Sequence, residues 1–442
     1  MKKNAYILTF LSLAVPAIIE NSLQSFVGFA DTFFISKIGL EEVAAVGVAN
    51  AILQIYFAVF LALSTASAIY VSRYSGANDN EKVKQVVAQS IILTIIIGSL
   101  FGIGSFLFGE PLLRLMGANN EVLEKGLVYF RIVTTPSMLI SLMYTVGAIL
   151  RGFGDTKTPM RVGIIVNIVH IILDYILILG VFFQGFGLVG AAIATVLARF
   201  FGVILLFYNL DKKRLITKSI EAWKVNKEVI RGLIQVGIPT GLERLFMRFG
   251  QIIYFGMIIR MGTEIYAAHT LAGNLTIFST IIGTGFAVAT TTLIGKSLGA
   301  KNLESVKKYA KVSMIGTSIA MTMMTLVIYL TAPYTVTVFT TNTTVVHLIV
   351  VALAVDTIAQ PATGLVSVLT AILQAGGDTK YPMYATAIGI WAIRTLGVYV
   401  LGVYIGLGLL GVWIAIAIDN YIRAMVLFIR YRSFKWVKKL SY

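Results

Sequence analysis

Four residues that do not suit a passive anchor stand inside the first long apolar run, from Ile7 to Ile35: Pro16, Glu20, Gln24 and Asp31. At about 100° per residue, Gln24 lies ~40° round a helix from Glu20 and Asp31 only ~20° round, so the three polar side chains form one stripe. A carboxylate at membrane depth costs on the order of 2.5–3.5 kcal/mol or more. Such acids therefore face a wet cavity or a partner and mark an ion or substrate path; the plainer alternative is a buried cluster at a helix contact. Pro16 removes a backbone donor and predicts a kink. In a later apolar run Asn167, His170 and Asp174 fall at i, i+3 and i+7 and share a face, with His170 one turn from the carboxylate. That pair would titrate together. A further acid, Glu243, has Arg244 and Arg248 beside it, which predicts a paired structural role.

These residues need helices in a bilayer to position them. The 442 residues are 57% hydrophobic and 13% charged, with a mean hydropathy of +0.87, which is room for about a dozen spans of ~20 residues. No sustained two-residue alternation argues for a barrel. The expected fold is thus an all-α polytopic membrane protein. Spans are predicted near 8–35, 44–72, 88–109, 126–150, 159–183 and 187–209, then near 230–258, 267–295, 310–331, 344–374, 383–404 and 408–429. Met1-Lys2-Lys3 and the run behind it read as an uncleaved first span, since Glu20 interrupts the apolar core and no small-residue cleavage site follows.

The net charge of +16 does not imply nucleic acid. With the amino terminus inside, most Lys and Arg fall in inner loops, and only Lys37, Arg114, Lys125, Arg131 and Arg260 fall outside. The positive-inside rule accounts for this and puts both termini in the cytoplasm. The basic stretch with Lys212, Lys213, Arg214, Lys218, Lys224 and Lys227 is expected to contact anionic membrane lipids. Cysteine is absent, and His170, His269 and His347 stand on different segments, which disfavours a dedicated metal site.

The two halves are copies. Ala148-Ile-Leu-Arg-Gly-Phe-Gly-Asp-Thr-Lys-Thr-Pro-Met160 recurs as Ala371-Ile-Leu-Gln-Ala-Gly-Gly-Asp-Thr-Lys-Tyr-Pro-Met383, an offset of 371 minus 148, or 223. The same offset pairs Pro16 with Pro239, Glu20 with Glu243 and Gly39 with Gly262. Six spans per copy give parallel repeats: an N-lobe at 1–210, a linker at 211–229, a C-lobe at 230–430 and a tail at 431–442. Such halves suit alternating access, although duplication alone also fits a channel. Two short motifs hint at catalysis. Gly152-Phe-Gly154-Asp155 fits the GxGD of intramembrane aspartyl proteases but lacks a partner acid, and its Thr158-Pro159 reads as a turn into the next helix. His170 and Asp174 match the HxxxD of some acyltransferases, here on one apolar helix.

Together, the duplicated six-span halves, Pro16 and Asp31 on span one, the Gly-Asp-Thr-Lys-x-Pro loops and Asp174 on span five resemble the multidrug and toxic compound extrusion (MATE) family over nearly the whole chain. Phe29-Ala-Asp31-Thr-Phe-Phe and Ile171-Ile-Leu-Asp174-Tyr are most similar to its DinF-type branch. The resemblance implies that Asp31 and Asp174 bind a coupling cation, H+ or Na+, with no other metal and no cofactor. It implies that Gln24 lines the amino-lobe cavity with them and that Pro16 is the bend of span one. Glu20, Asn167, His170 and Tyr254 are further expected cavity residues, and Glu243 is a reserve cation site by similarity to the vibrio-type branch. One departure is His170, where many relatives carry Asn. The lobes also differ, for the counterpart of Asp31 at the 223 offset is Tyr254. The expected protein is not an enzyme. It is a monomeric multi-pass antiporter in a prokaryotic plasma membrane, exporting cationic amphipathic organic compounds. The alternatives are a flippase for a lipid-linked sugar, kept open by Arg199, Arg244, Arg248 and Arg394, and an intramembrane enzyme resting on the two motifs above.

Overall fold

The computed structural model describes residues 3–180, 184–217 and 219–437. The expected end of span five at 181–183, Lys218 of the linker, the extreme amino terminus and the end of the tail at 438–442 lie outside them. Apolar runs that cannot leave backbone groups unpaired in a bilayer become helices, and no strand occurs among the described residues. The first half comprises α1 (Lys3–Ser36), α2 (Leu40–Gly76), α3 (Asn80–Leu115), α4 (Asn120–Thr134), α5 (Ser137–Phe153), α6 (Lys157–Leu179) and α7 (Gly187–Lys212). A short α8 (Ile220–Trp223) follows in the linker. The second half comprises α9 (Lys227–Arg260), α10 (Thr263–Gly299), α11 (Leu303–Thr335), α12 (Thr343–Ala375), α13 (Lys380–Ile388) and α14 (Gly408–Arg432). Between the last two, Gly389–Thr395 and Val398–Tyr404 are π-helical and extend α13 into one span.

These elements give the twelve spans. Ten helical stretches are long and apolar enough to cross a membrane, and α4 with α5, bent by 45° where Pro136 stands, make an eleventh. The twelfth is α9, whose middle carries Glu243, Arg244 and Arg248, so composition alone underrates it. The helices outrun the predicted spans because they end at caps, not at the edge of hydropathy. Asp79 and Asn302 accept hydrogen bonds from the backbone N–H of Lys82 and Ser305, respectively. α1 runs unbroken through Pro16, and α9 through Pro239.

The internal repeat shows in the backbone as well. Asn78 and Lys301, 223 residues apart, are both left-handed, at φ 57° and 56°. After α5 and α12, Gly154 and Gly377 take φ 98° and 87°. In each copy the aspartate that follows donates its N–H to the carbonyl five residues back, Asp155 to Leu150 and Asp378 to Leu373, both at 2.9 Å. This is a Schellman helix end, which needs glycine for its positive φ. Gly154-Asp155 is therefore a helix stop whose carboxylate is engaged: it accepts from Thr158 N at 3.0 Å and pairs with Lys213 at 2.7 Å.

The chain forms two compact units, and they do not divide at the linker. One takes residues 19–241; the other takes the described residues up to Ile18 together with those from Leu242 to 437. Each division falls two residues after a repeated proline, Pro16 or Pro239. The lobe limits expected at 1–210 and 230–430 follow the duplication, whereas packing assigns the opening segments of α1 and α9 differently. In the unit of residues 19–241, Tyr56, Phe60, Phe130 and Ile140 centre the core. Its linker is pinned by Gln89 of α3, which is fully buried. The amide donates to the Ala222 and Lys224 carbonyls at 2.9 and 2.8 Å and accepts from Asn226 N at 2.9 Å. The other unit has two clusters, one around Phe10, Phe286 and Trp436 and one around Ile258, Ile349 and Leu353.

Candidate functional site

In the unit of residues 19–241, α6 presents His170 and Asp174 one turn apart, and the second part of α1 brings Asp31 to them. Asp31 Oδ1 lies 3.8 Å from His170 Nδ1, and Asp174 Oδ2 lies 3.7 Å from His170 Nε2. One ligating atom from each residue falls within 4.8 Å of the other two. Asp174 is 1% exposed and His170 8%, while Asp31 is half-buried. Asp31 Oδ1 and Asp174 Oδ2 are both buried without a hydrogen-bond partner. Such orphaned carboxylate oxygens are costly and point to a proton or cation as the missing partner.

The third wall of the site is α7. A side chain at Gly190 would fall on the Leu177 carbonyl of α6, and one at Gly202 would meet Met143 and Val166, so small residues let α7 approach closely on both sides of Thr195. Thr195 uses its one hydroxyl hydrogen to donate to Ala191 O at 2.9 Å. Its oxygen must therefore accept from His170 Nε2, 3.2 Å away. This puts a hydrogen on Nε2, so that in the neutral ring the Nδ1 lone pair faces Asp31. Arg199, also on α7, lies within electrostatic range of Asp31 and Tyr129. Asn167 is half-buried with Nδ2 unpartnered.

The stripe on α1 resolves into separate roles. Glu20 pairs with Arg151 of α5 at 2.8 Å, both side chains being largely buried. Gln24 is exposed. Eleven residues separate Glu20 from Asp31, about 16 Å along a helix, so one face serves two depths.

The other unit holds a different polar group. Glu243 accepts from Gln374 Nε2 at 2.9 Å and Thr386 Oγ1 at 3.3 Å. Asp419 takes Arg394 Nη2 at 2.7 Å and Arg423 Nη2 at 2.8 Å, so one buried carboxylate serves two arginines. Gly389 opens the space, since a side chain there would fall on Asp419 and Arg423. Arg394 sits on a π-helical stretch, where a widened turn re-aims a side chain. Asp356 accepts from Gln360 at 2.7 Å. Tyr254 is buried against Phe255 and His269 beneath the Arg394 guanidinium. Thr195 and Arg151 were not singled out from the sequence: nothing in spacing links Thr195 to His170, and Arg151 stands next to the repeated turn and reads as part of it.

Twelve helical spans built as two parallel copies, with buried acids and half-buried polar groups inside one copy, define a secondary transporter. The chain belongs to the MatE family, whose model matches it twice, over residues 16–176 and 239–400. It is similar to the uncharacterized transporter YisQ of Bacillus subtilis, 29% identical over 440 residues that cover 98% of this chain and 95% of that one. It is also 29% identical over 434 residues to the probable multidrug resistance protein NorM of Thermotoga maritima, covering 97% and 93%. Among solved structures, it is similar to an outward-facing conformation of a multidrug resistance MATE family transporter, with a TM-score of 0.89 and 27% identity over 98% of this chain and 97% of that one.

Proposed function

We propose that this chain is a cation-coupled antiporter of a prokaryotic plasma membrane that exports cationic, amphipathic organic compounds as a monomer. The observation that carries the reading is the group of Asp31, His170 and Asp174, with two buried carboxylate oxygens that lack partners. In the cycle, Asp31 and Asp174 take up H+ or Na+ on the outer side, and the compound is released. They lose the cation on the inner side, and the next compound is accepted there. Coupling requires that the two ligands favour different states of the protein, because a ligand shifts an equilibrium only by its differential affinity. The names of relatives that describe multidrug resistance and multidrug export support the export of organic compounds. The pairing of Arg394 with Asp419 withdraws one of the basic groups that a site for a lipid-linked sugar would use. Glu243 is held by two neutral donors and is the second place for a cation. The basic loops support cytoplasmic termini.

The reading is tested in proteoliposomes by imposing a proton gradient and a sodium gradient separately and following a cationic dye. One gradient should drive uptake or efflux against the dye gradient. If neither moves dye while a fluorescent lipid-linked sugar crosses, the protein is a flippase.

A further inference from the structure

We infer that Asp31, His170 and Asp174 form a site for a divalent first-row transition cation of the Zn2+, Co2+ or Ni2+ class. The inference rests on the reading above that this group is a cation site, and it names a ligand class which that reading does not contain.

Three observations carry it. First, the donor set is mixed: two carboxylate oxygens and one imidazole nitrogen, one atom of each within 4.8 Å of the others. Hard cations such as Mg2+ and Ca2+ are held by oxygen, whereas imidazole suits Zn2+, Co2+ and Ni2+. Bond lengths of about 2.0–2.1 Å place the ligand atoms of a tetrahedral ion ~3.4 Å apart. The 3.8 Å between Asp31 Oδ1 and His170 Nδ1 is within a few tenths of that; Asp174 Oδ2 lies 3.7 Å from the ring's other nitrogen, Nε2, and would turn toward the ion from within the 4.8 Å group.

Second, the histidine is set up as a metal ligand. Metal-binding histidines donate their other ring N–H to an acceptor that fixes the tautomer. Thr195, its own hydrogen committed to Ala191 O, does this for His170 and leaves the Nδ1 lone pair free. Third, the facing oxygens wait unpartnered: Asp174, 1% exposed, has no hydrogen bond to Oδ2, and Asp31 has none to Oδ1. The opposing charge is Arg199, within electrostatic range of Asp31 and of Tyr129 and Tyr144. It weakens any ion held by charge alone, so the nitrogen donor becomes the deciding ligand.

The test uses the full-length protein in detergent with no gradient imposed. Co2+ is added, its visible ligand-field absorption is followed, and Zn2+ is then used to displace it. One Zn2+-displaceable Co2+ per chain is expected. His170→Asn should abolish the spectrum. Thr195→Val should weaken Co2+ about 10–100-fold, the usual effect of losing such a supporting hydrogen bond, and Thr195→Ser should restore it. His347→Gln, at an exposed position, should change nothing. The inference is overturned if wild type gives no spectrum, if His170→Asn keeps it while still folded by its melting curve, or if His347→Gln removes it. Because no transport is measured, loss of this inference leaves the coupling reading standing. Conversely, a Co2+ site in a protein that fails to couple dye to any gradient would remove only the coupling reading.

Discussion

Glu20 and Asp31 occupy one face of one helix, and amide substitution should separate them by stability. Glu20 meets Arg151 at 2.8 Å with 13% and 15% of the two side chains exposed. Unit charges ~4 Å apart at an effective dielectric of about 20 interact by roughly 4 kcal/mol, and removing one member of a buried pair typically costs about 3–5 kcal/mol because the other charge is stranded. Glu20→Gln should therefore destabilise by ~3 kcal/mol or more. The double variant with Arg151→Gln should melt above the single one, since the guanidinium that faced the lost carboxylate is then removed as well. Asp31→Asn should behave in the opposite way. Among the described residues Asp31 has no lysine or arginine in ion-pair contact, and Oδ1 is buried without a partner, so neutralisation should shift stability by no more than ~1 kcal/mol in either direction. Thermal unfolding in one detergent at matched concentration compares the four proteins. A Glu20→Gln that melts with wild type, or an Asp31→Asn that falls as far as Glu20→Gln, would refute the division into a structural and a functional acid.

Three further outcomes are expected. At Asp155, burial raises the carboxyl pKa but Lys213 and Thr158 outweigh it, leaving it below the ordinary 3.8. A depressed folded pKa contributes stability above 3.8 that is lost as pH falls through the folded value, so the melting difference between wild type and Asp155→Asn should shrink on acidification; a constant difference would contradict this. At Gly102 a side chain would fall on the Thr135 carbonyl, whereas Gly104 has nothing within 4 Å. Gly102→Ala should cost about 1–3 kcal/mol and Gly104→Ala should gain up to ~1 kcal/mol, read as opposite shifts in melting. Gln89→Leu should free the linker, seen as faster tryptic cleavage after the exposed Lys224 and Lys227; an unchanged digest would show that the linker is held by something else.

What the sequence made legible was local. Hydropathy placed the spans, and the duplicated Gly-Asp turns marked helix ends because a positive φ selects glycine whatever surrounds it. That Asp31 meets Asp174 came through family resemblance, since spacing along a chain says which residues share a face and nothing of which helix faces them. For the same reason Glu20 gave no sign of Arg151, and His170 gave none of Thr195. Histidines scattered over different segments argued against a dedicated metal site, yet the structure groups one of them with two carboxylates, because separation along the chain says nothing of which helices meet. The divisions within α1 and α9 could not be read because a repeat fixes what is duplicated and not which copy each segment packs with.

The central claim is that Asp31 and Asp174 couple dye movement to a cation gradient. It is tested most directly by dye transport in proteoliposomes containing wild type, Asp31→Asn or Asp174→Asn, under the gradient that drives wild type. Each variant should lose transport against the dye gradient by at least about tenfold, the effect of ~1.4 kcal/mol of lost coupling free energy, while remaining folded by its melting curve. Full gradient-driven transport by either variant would contradict the account.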